Sequence, residues 1–94
     1  MSLDRYYSGD QAWDDYAAVW ADRWQKCGFQ DALLKELRSD LPLAQTVYGL
    51  FGEDSLTWIH RKVPVLGGKT AVSRLNSKSG IRELREALMR YPYP

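Results

Sequence analysis

Six residues between Trp13 and Cys27 fall at offsets 0, 3, 4, 7, 11 and 14: Trp13, Tyr16, Ala17, Trp20, Trp24 and Cys27. That spacing is one face of a helix of period 3.6. Three indoles on one face need an opposing surface large enough to cover them. The pattern predicts a single helix over 10–26, with Ser8 or Asp10 accepting a backbone N–H bond at its start and Gly28 ending it in a left-handed conformation. Large aromatics at helical spacing serve a core, so Trp13, Trp20, Trp24 and Cys27 are expected inside; the competing use is a partner-binding ridge. A chain of 94 residues is one domain's worth. Its core cannot cover four Trp and six Tyr. Tyr6, Tyr7, Tyr91 and Tyr93, near the two ends, are therefore expected at the surface, where exposed aromatics favour an interface.

The remaining sequence reads as further short helices. Leu33, Leu34 and Leu37 lie on one side of a two-turn helix over 31–38. In Ser39-Asp40-Leu41-Pro42 a capping side chain stands just before a proline, a helix-start signal that opens a third helix from Leu43 to about Leu50. Gly49 and Gly52 punctuate its end. Glu53-Asp54-Ser55 opens a fourth helix with Leu56, Trp58 and Ile59, which stops near Lys62 because Pro64 biases Val63 away from helix. A loop follows over 64–68. Thr70 caps a short helix through Leu75, and Asn76 or Ser77 caps the last one, in which Ile81, Leu84, Leu88 and Met89 repeat at helical spacing before Pro92 and Pro94 stop it. No stretch alternates as a strand would. The fold class expected is all-α: a small single-domain helical bundle of about five to six helices.

Thirteen basic and twelve acidic side chains give a formal charge of +1, which removes any argument from global charge for nucleic acid or anionic membrane. The distribution is less even. Residues 1–47 hold eight acids and five bases, whereas residues 48–94 hold four acids and eight bases. The chain thus divides into an acidic, aromatic-rich amino half and a basic carboxyl half. In the last helix Arg82, Arg85 and Arg90, with Lys78 before it, can be presented away from the apolar stripe, while Glu83 and Glu86 interrupt the field.

Several chemistries are excluded by residue type. The single Cys27 cannot form an internal disulfide, and with the single His60 it cannot supply the four ligands of a structural zinc site. No nucleophile and base are visibly paired, so no catalytic, metal-binding or cofactor-binding residue is assigned. Cys27 reads as core and His60 as a surface position. Acid pairs such as Asp14-Asp15 and Glu53-Asp54 are adjacent and point to different azimuths, unlike a general acid and base. No apolar run approaches the length of a membrane helix and no signal peptide is visible, so a cytoplasmic setting is expected. Gly68-Lys69-Thr70 looks like the end of a phosphate-binding loop. The glycine required six residues before the lysine is absent, because Val63 stands there, and two glycines instead permit a tight turn with positive φ.

One stretch carries more. Phe51-Gly52, Trp58, Pro64 with Leu66-Gly67-Gly68-Lys69-Thr70, Leu75, Gly80 and Leu88-Met89-Arg90 occur in that order within residues 47–91. This stretch resembles the toxin-binding carboxyl-terminal domain of MbcA/ParS/Xre-type antitoxins. The resemblance implies a helical module, spanning residues 48–94 here, that catalyses nothing and neutralises a cognate toxin of a type II toxin-antitoxin system. Such toxins are usually of the RES class, which consume NAD or transfer from it. Leu66, Gly67, Gly68, Lys69, Thr70, Arg74, Arg82, Arg85 and Arg90 are the partner-binding residues expected, since arginine and exposed loop apolars dominate contact energy. Two other readings stand beside it. One is a small DNA-binding transcriptional regulator, for which residues 1–47 offer no basic helix face. The other is a homodimeric interaction module without a toxin partner, two-fold dimers being the commonest oligomers.

Overall fold

The computed structural model describes residues 3–92. Among them the fold is all-α, built from α1 (Asp10–Ala18), α2 (Ala21–Trp24), α3 (Gln30–Glu36), α4 (Leu41–Phe51), α5 (Ser55–Trp58), α6 (Ala71–Arg74) and α7 (Lys78–Met89). Short 3-10 turns occupy Leu3–Tyr6, Gly52–Asp54 and Pro64–Leu66. The small helical bundle expected from the sequence is what forms. Tyr93 and Pro94 lie outside the described residues.

The single helix expected over 10–26 is two helices, α1 and α2. At the break the amides of Val19 and Trp20 bond back only three residues, to Tyr16 and Ala17, and Trp20 adopts φ −94°, ψ 3°. The cause lies on α4. There the Trp20 indole lies flat against Gly49, so closely that any Cβ at Gly49 would collide with the ring. The kink lets the indole reach that notch. Gly49 is therefore not the end of a helix but the interior of α4, which runs two residues further. Neither Ser8 nor Asp10 caps α1: its N-cap is Gly9, without a side-chain bond. Gly28 is not left-handed either; the positive-φ residues ahead of α4 are Gly9, Arg38 and Ser39.

Local chemistry starts three later helices as expected. Asp40 accepts from the Leu43 amide with Pro42 in the first turn of α4, Thr70 from Ser73, and Ser77 from Gly80. Central to the bundle is α4, buried on nearly every side through Leu43, Ala44, Thr46, Val47, Tyr48 and Gly49. The hydroxyl of the fully buried Thr46 donates to the Pro42 carbonyl at 2.9 Å. Trp13, Leu33, Leu37, Ile59, Leu66, Leu84 and Leu88 complete the core, each at most 1% exposed. Trp24 and Cys27 are buried as the aromatic stripe implied, but Trp20 is only half-buried. Tyr6 and Tyr91 are exposed as expected, at 49% and 39%.

Candidate partner-binding surface

The loop between α5 and α6 positions the glycine pair. An antiparallel bridge joins Val63 to Lys69, with the Val63 amide donating to the Lys69 carbonyl at 3.0 Å and the Gly68 amide returning to the Val63 carbonyl at 3.0 Å. Gly67 and Gly68 turn the chain at φ 68° and 78°. Nothing lies within 4 Å of a Cβ built at either, so glycine is needed here for conformation rather than for space. The amides of Leu66, Gly67, Gly68 and Lys69 all donate inward to Val63, Pro64, Val63 and Leu66. A phosphate would need those N–H groups pointing outward, so the loop has no anion cradle.

The residues singled out from sequence fall into two groups. Gly67, Gly68, Lys69 and Arg82 are exposed, and Thr70 is half-buried as the cap of α6. Leu66, by contrast, is 1% exposed and anchors the loop from beneath, so it is not an apolar contact offered to a partner. Three of the four arginines are engaged within the fold. Arg74 pairs with Glu83 at 3.3 Å. Arg90 donates its Nε to Glu86 at 2.7 Å and lies over the Tyr6 ring. Arg85 stands over the Trp13 ring, 5.4 Å from its centroid, and donates to the Tyr7 hydroxyl at 3.1 Å and to Asp10 at 3.2 Å. Its other terminal nitrogen is 4.0 Å from Asp40.

Glu83 and Glu86 do not interrupt a solvated field. They are buried at 7% and 4% exposure, flanking the apolar stripe of α7. A carboxylate survives there only if paired and hydrogen-bonded. Glu83 has Arg74; Glu86 accepts from both the amide and the hydroxyl of Ser8 at 3.0 Å and from Arg90. Burial alone would push the Glu86 carboxyl up, but the bonds from Arg90 and Ser8 outweigh it and hold it below its ordinary value.

With those arginines accounted for, a different set of cations remains at the surface. Arg61, Lys62, Lys69, Lys78 and Arg82 are all exposed, and among the described residues none makes an ion pair or side-chain hydrogen bond. The chain from Ser55 to Arg82 contains no Asp or Glu. Its parts are packed together: the Val72 amide bonds to the Ile59 carbonyl at 3.2 Å, and the Pro64–Leu66 turn and α6 both rest on α7. At the edge of this surface His60 Nε2 lies 3.8 Å from the Glu36 carboxylate, both well exposed. Arg61 and Lys62 were not among the residues singled out above. The signal that finds them is the acid-free run itself, which a division of the chain at residue 47 dilutes with Glu53, Asp54, Glu83 and Glu86.

No group of three or more His, Cys, Asp or Glu that could hold a metal occurs among the described residues, and no described helix is long and apolar enough to cross a membrane. The Cys27 thiol is buried, and that burial pushes its pKa up. Compared with known proteins, the chain matches no family model, no curated protein and no solved structure.

Proposed function

We propose that this chain is a non-enzymatic, antitoxin-like protein whose 55–82 surface docks on an acidic face of a RES-type toxin and neutralises it. The observation that carries this reading is the segregation of charge: five cations, exposed and among the described residues unpaired, in a stretch of chain from Ser55 to Arg82 that holds no acid. A surface serving solubility alone intersperses both signs. A single-sign field steers an oppositely charged partner and suppresses wrong ones. The choice of toxin class rests on the ordered residues Phe51-Gly52, Trp58 and Leu66-Gly67-Gly68-Lys69-Thr70 and on no matched relative. In this reading Gly67, Gly68, Lys69 and Arg82 touch the partner together with Arg61, Lys62 and Lys78. Leu66, Thr70, Arg74, Arg85 and Arg90 hold the surface in shape.

Co-expression with a RES-type protein encoded beside this chain tests the reading. A stable complex on size exclusion and relief of toxicity are expected; toxicity unrelieved and no complex contradict it. The same cations make DNA the second reading, because Lys78 and Arg82 lie in the first turns of α7, just after the turn from α6. Against it, α6 is four residues long, too short to lie across a backbone as a supporting helix does. A salt-sensitive DNA complex lost on Arg82→Ala would favour that reading over the toxin.

A further inference from the structure

The turn that ends α3 sets one more cation against the 55–82 surface. The Arg38 amide bonds back to the Lys35 carbonyl at 3.4 Å and the Ser39 amide to the Leu34 carbonyl at 2.7 Å, the pair of bonds that closes a helix through a left-handed residue. That residue is Arg38, at φ 58°, and Ser39 follows it at φ 62°. Glycine is the usual occupant of such a position, because a Cβ crowds the backbone there. The arginine brings strain to the turn and a long side chain that glycine lacks.

That side chain reaches the corner between α6 and α7. Nη1 donates to the Leu75 carbonyl at 2.8 Å and Nη2 donates to Asn76 Oδ1. Neither acceptor is charged, and among the described residues Arg38 makes no ion pair, so its positive charge is not neutralised. Arg74, Arg85 and Arg90 differ, each being paired with a carboxylate. A guanidinium has five N–H donors. Two are used here, and three remain on an exposed residue. The anchoring residue Asn76 stands two positions before Lys78, and α3 meets the same surface again where Glu36 lies 3.8 Å from His60. A guanidinium already held at two points has little freedom left to lose on binding, and its planar fork matches a carboxylate.

We propose that Arg38 is a partner contact of the 55–82 surface, a preset guanidinium that receives a carboxylate of the acidic partner beside Lys78. This rests on the reading that the surface takes an acidic protein, and not on the class of toxin. A phosphate would fit the same fork, but the four-residue α6 is too short to support α7 on a duplex, so a protein carboxylate is the occupant.

Poly-L-glutamate, titrated at low ionic strength into the full chain labelled with nitrogen-15, tests this by NMR. The Arg38 Nε–Hε signal and the Asn76 and Lys78 amides should shift, while the Nε–Hε signal of Arg90, bonded to Glu86, stays. Arg38→Gln should weaken binding about threefold to fivefold, as the loss of one exposed charge contact does, and by more than Lys26→Gln. Arg38→Lys keeps the charge and should recover part of that loss. Binding without a shift at Arg38, or a loss in Arg38→Gln no greater than in Lys26→Gln, would overturn the proposal. So would Arg38→Lys binding as weakly as Arg38→Gln, since Arg38 would then act by holding the corner rather than by touching the partner. No binding of poly-L-glutamate, or binding only of a DNA duplex titrated in parallel, overturns it as well. Poly-L-glutamate bound through Arg38, with no complex formed by the co-expressed toxin, would contradict the toxin reading and leave this contact standing.

Discussion

Gly49→Ala sets helix propensity against packing. Within a helix, alanine is favoured over glycine by about 1 kcal/mol. In this fold the added methyl would overlap three atoms at the centre of the Trp20 indole, rather than the movable end of a flexible chain. The ring also packs against Tyr16, T-shaped at a centroid distance of 6.1 Å. Overpacking of this kind costs about 1–3 kcal/mol. With rigid ring atoms meeting the methyl, the upper part of that range applies, leaving a net loss of about 1–2 kcal/mol after the propensity gain. For a domain of this size that lowers the melting temperature by about 5–15 °C. Thermal unfolding by circular dichroism, checked by urea titration, measures it. Gly28→Ala is the control: Gly28 is exposed, has nothing within 4 Å of a Cβ, and lies outside the positive-φ region, so its melting temperature should hold or rise. In a Trp20→Ala background the sign should reverse, Gly49→Ala becoming stabilising as propensity alone dictates. A stabilising Gly49→Ala with Trp20 present would refute the packing that is held to split α1 from α2.

Removing the caps Asp40, Thr70 and Ser77 one at a time, by substitution with Ala, should cost about 1 kcal/mol each in urea unfolding, because each side chain satisfies an orphan amide. Cys27, buried and with its thiol pushed up from 9.0 chiefly by desolvation, should resist a thiol-specific reagent at pH 8 until denaturant is added; prompt labelling of the native protein would contradict its place in the core. Glu86 has a depressed folded pKa, so its contribution to stability is full above the ordinary glutamate value of 4.5 and fades as pH falls through the folded value. The stability gap between wild type and Glu86→Gln should therefore be widest near neutral pH and close in acid, and a gap independent of pH would contradict the pairing with Ser8 and Arg90.

What could be read in the sequence was what is local. Asp40 before Pro42, Thr70 after the glycine pair and Ser77 each cap a helix with a neighbour three residues on, and the fold left those bonds intact. The left-handed turn at Gly67-Gly68 was equally visible, since few other residues adopt it. What failed depended on partners far along the chain. The break between α1 and α2 answers to Gly49 on α4. Ser8 was expected to cap α1 but bonds instead to Glu86, and Asp10 meets Arg85. Glu83 and Glu86 read as breaks in the basic field of the last helix because periodicity places them beside the stripe and says nothing of Arg74 or Ser8 arriving to pair them. The same pairing withdraws Arg74, Arg85 and Arg90 from the free surface, leaving Arg61, Lys62, Lys69, Lys78 and Arg82 to define its charge.

The most direct test of the central claim is a calorimetric titration of a RES-type toxin, encoded beside this chain, with the wild-type protein and with the triple variant Arg61→Glu, Lys62→Glu, Lys69→Glu. Lys26→Glu, at an exposed position in the amino half, serves as a control for charge reversal away from this surface. The account predicts tight binding by wild type and control, a loss of about a hundredfold in the triple variant, and a wild-type affinity that weakens with added salt. Binding by the triple variant equal to wild type would contradict the account, as would a wild-type protein that does not bind at all.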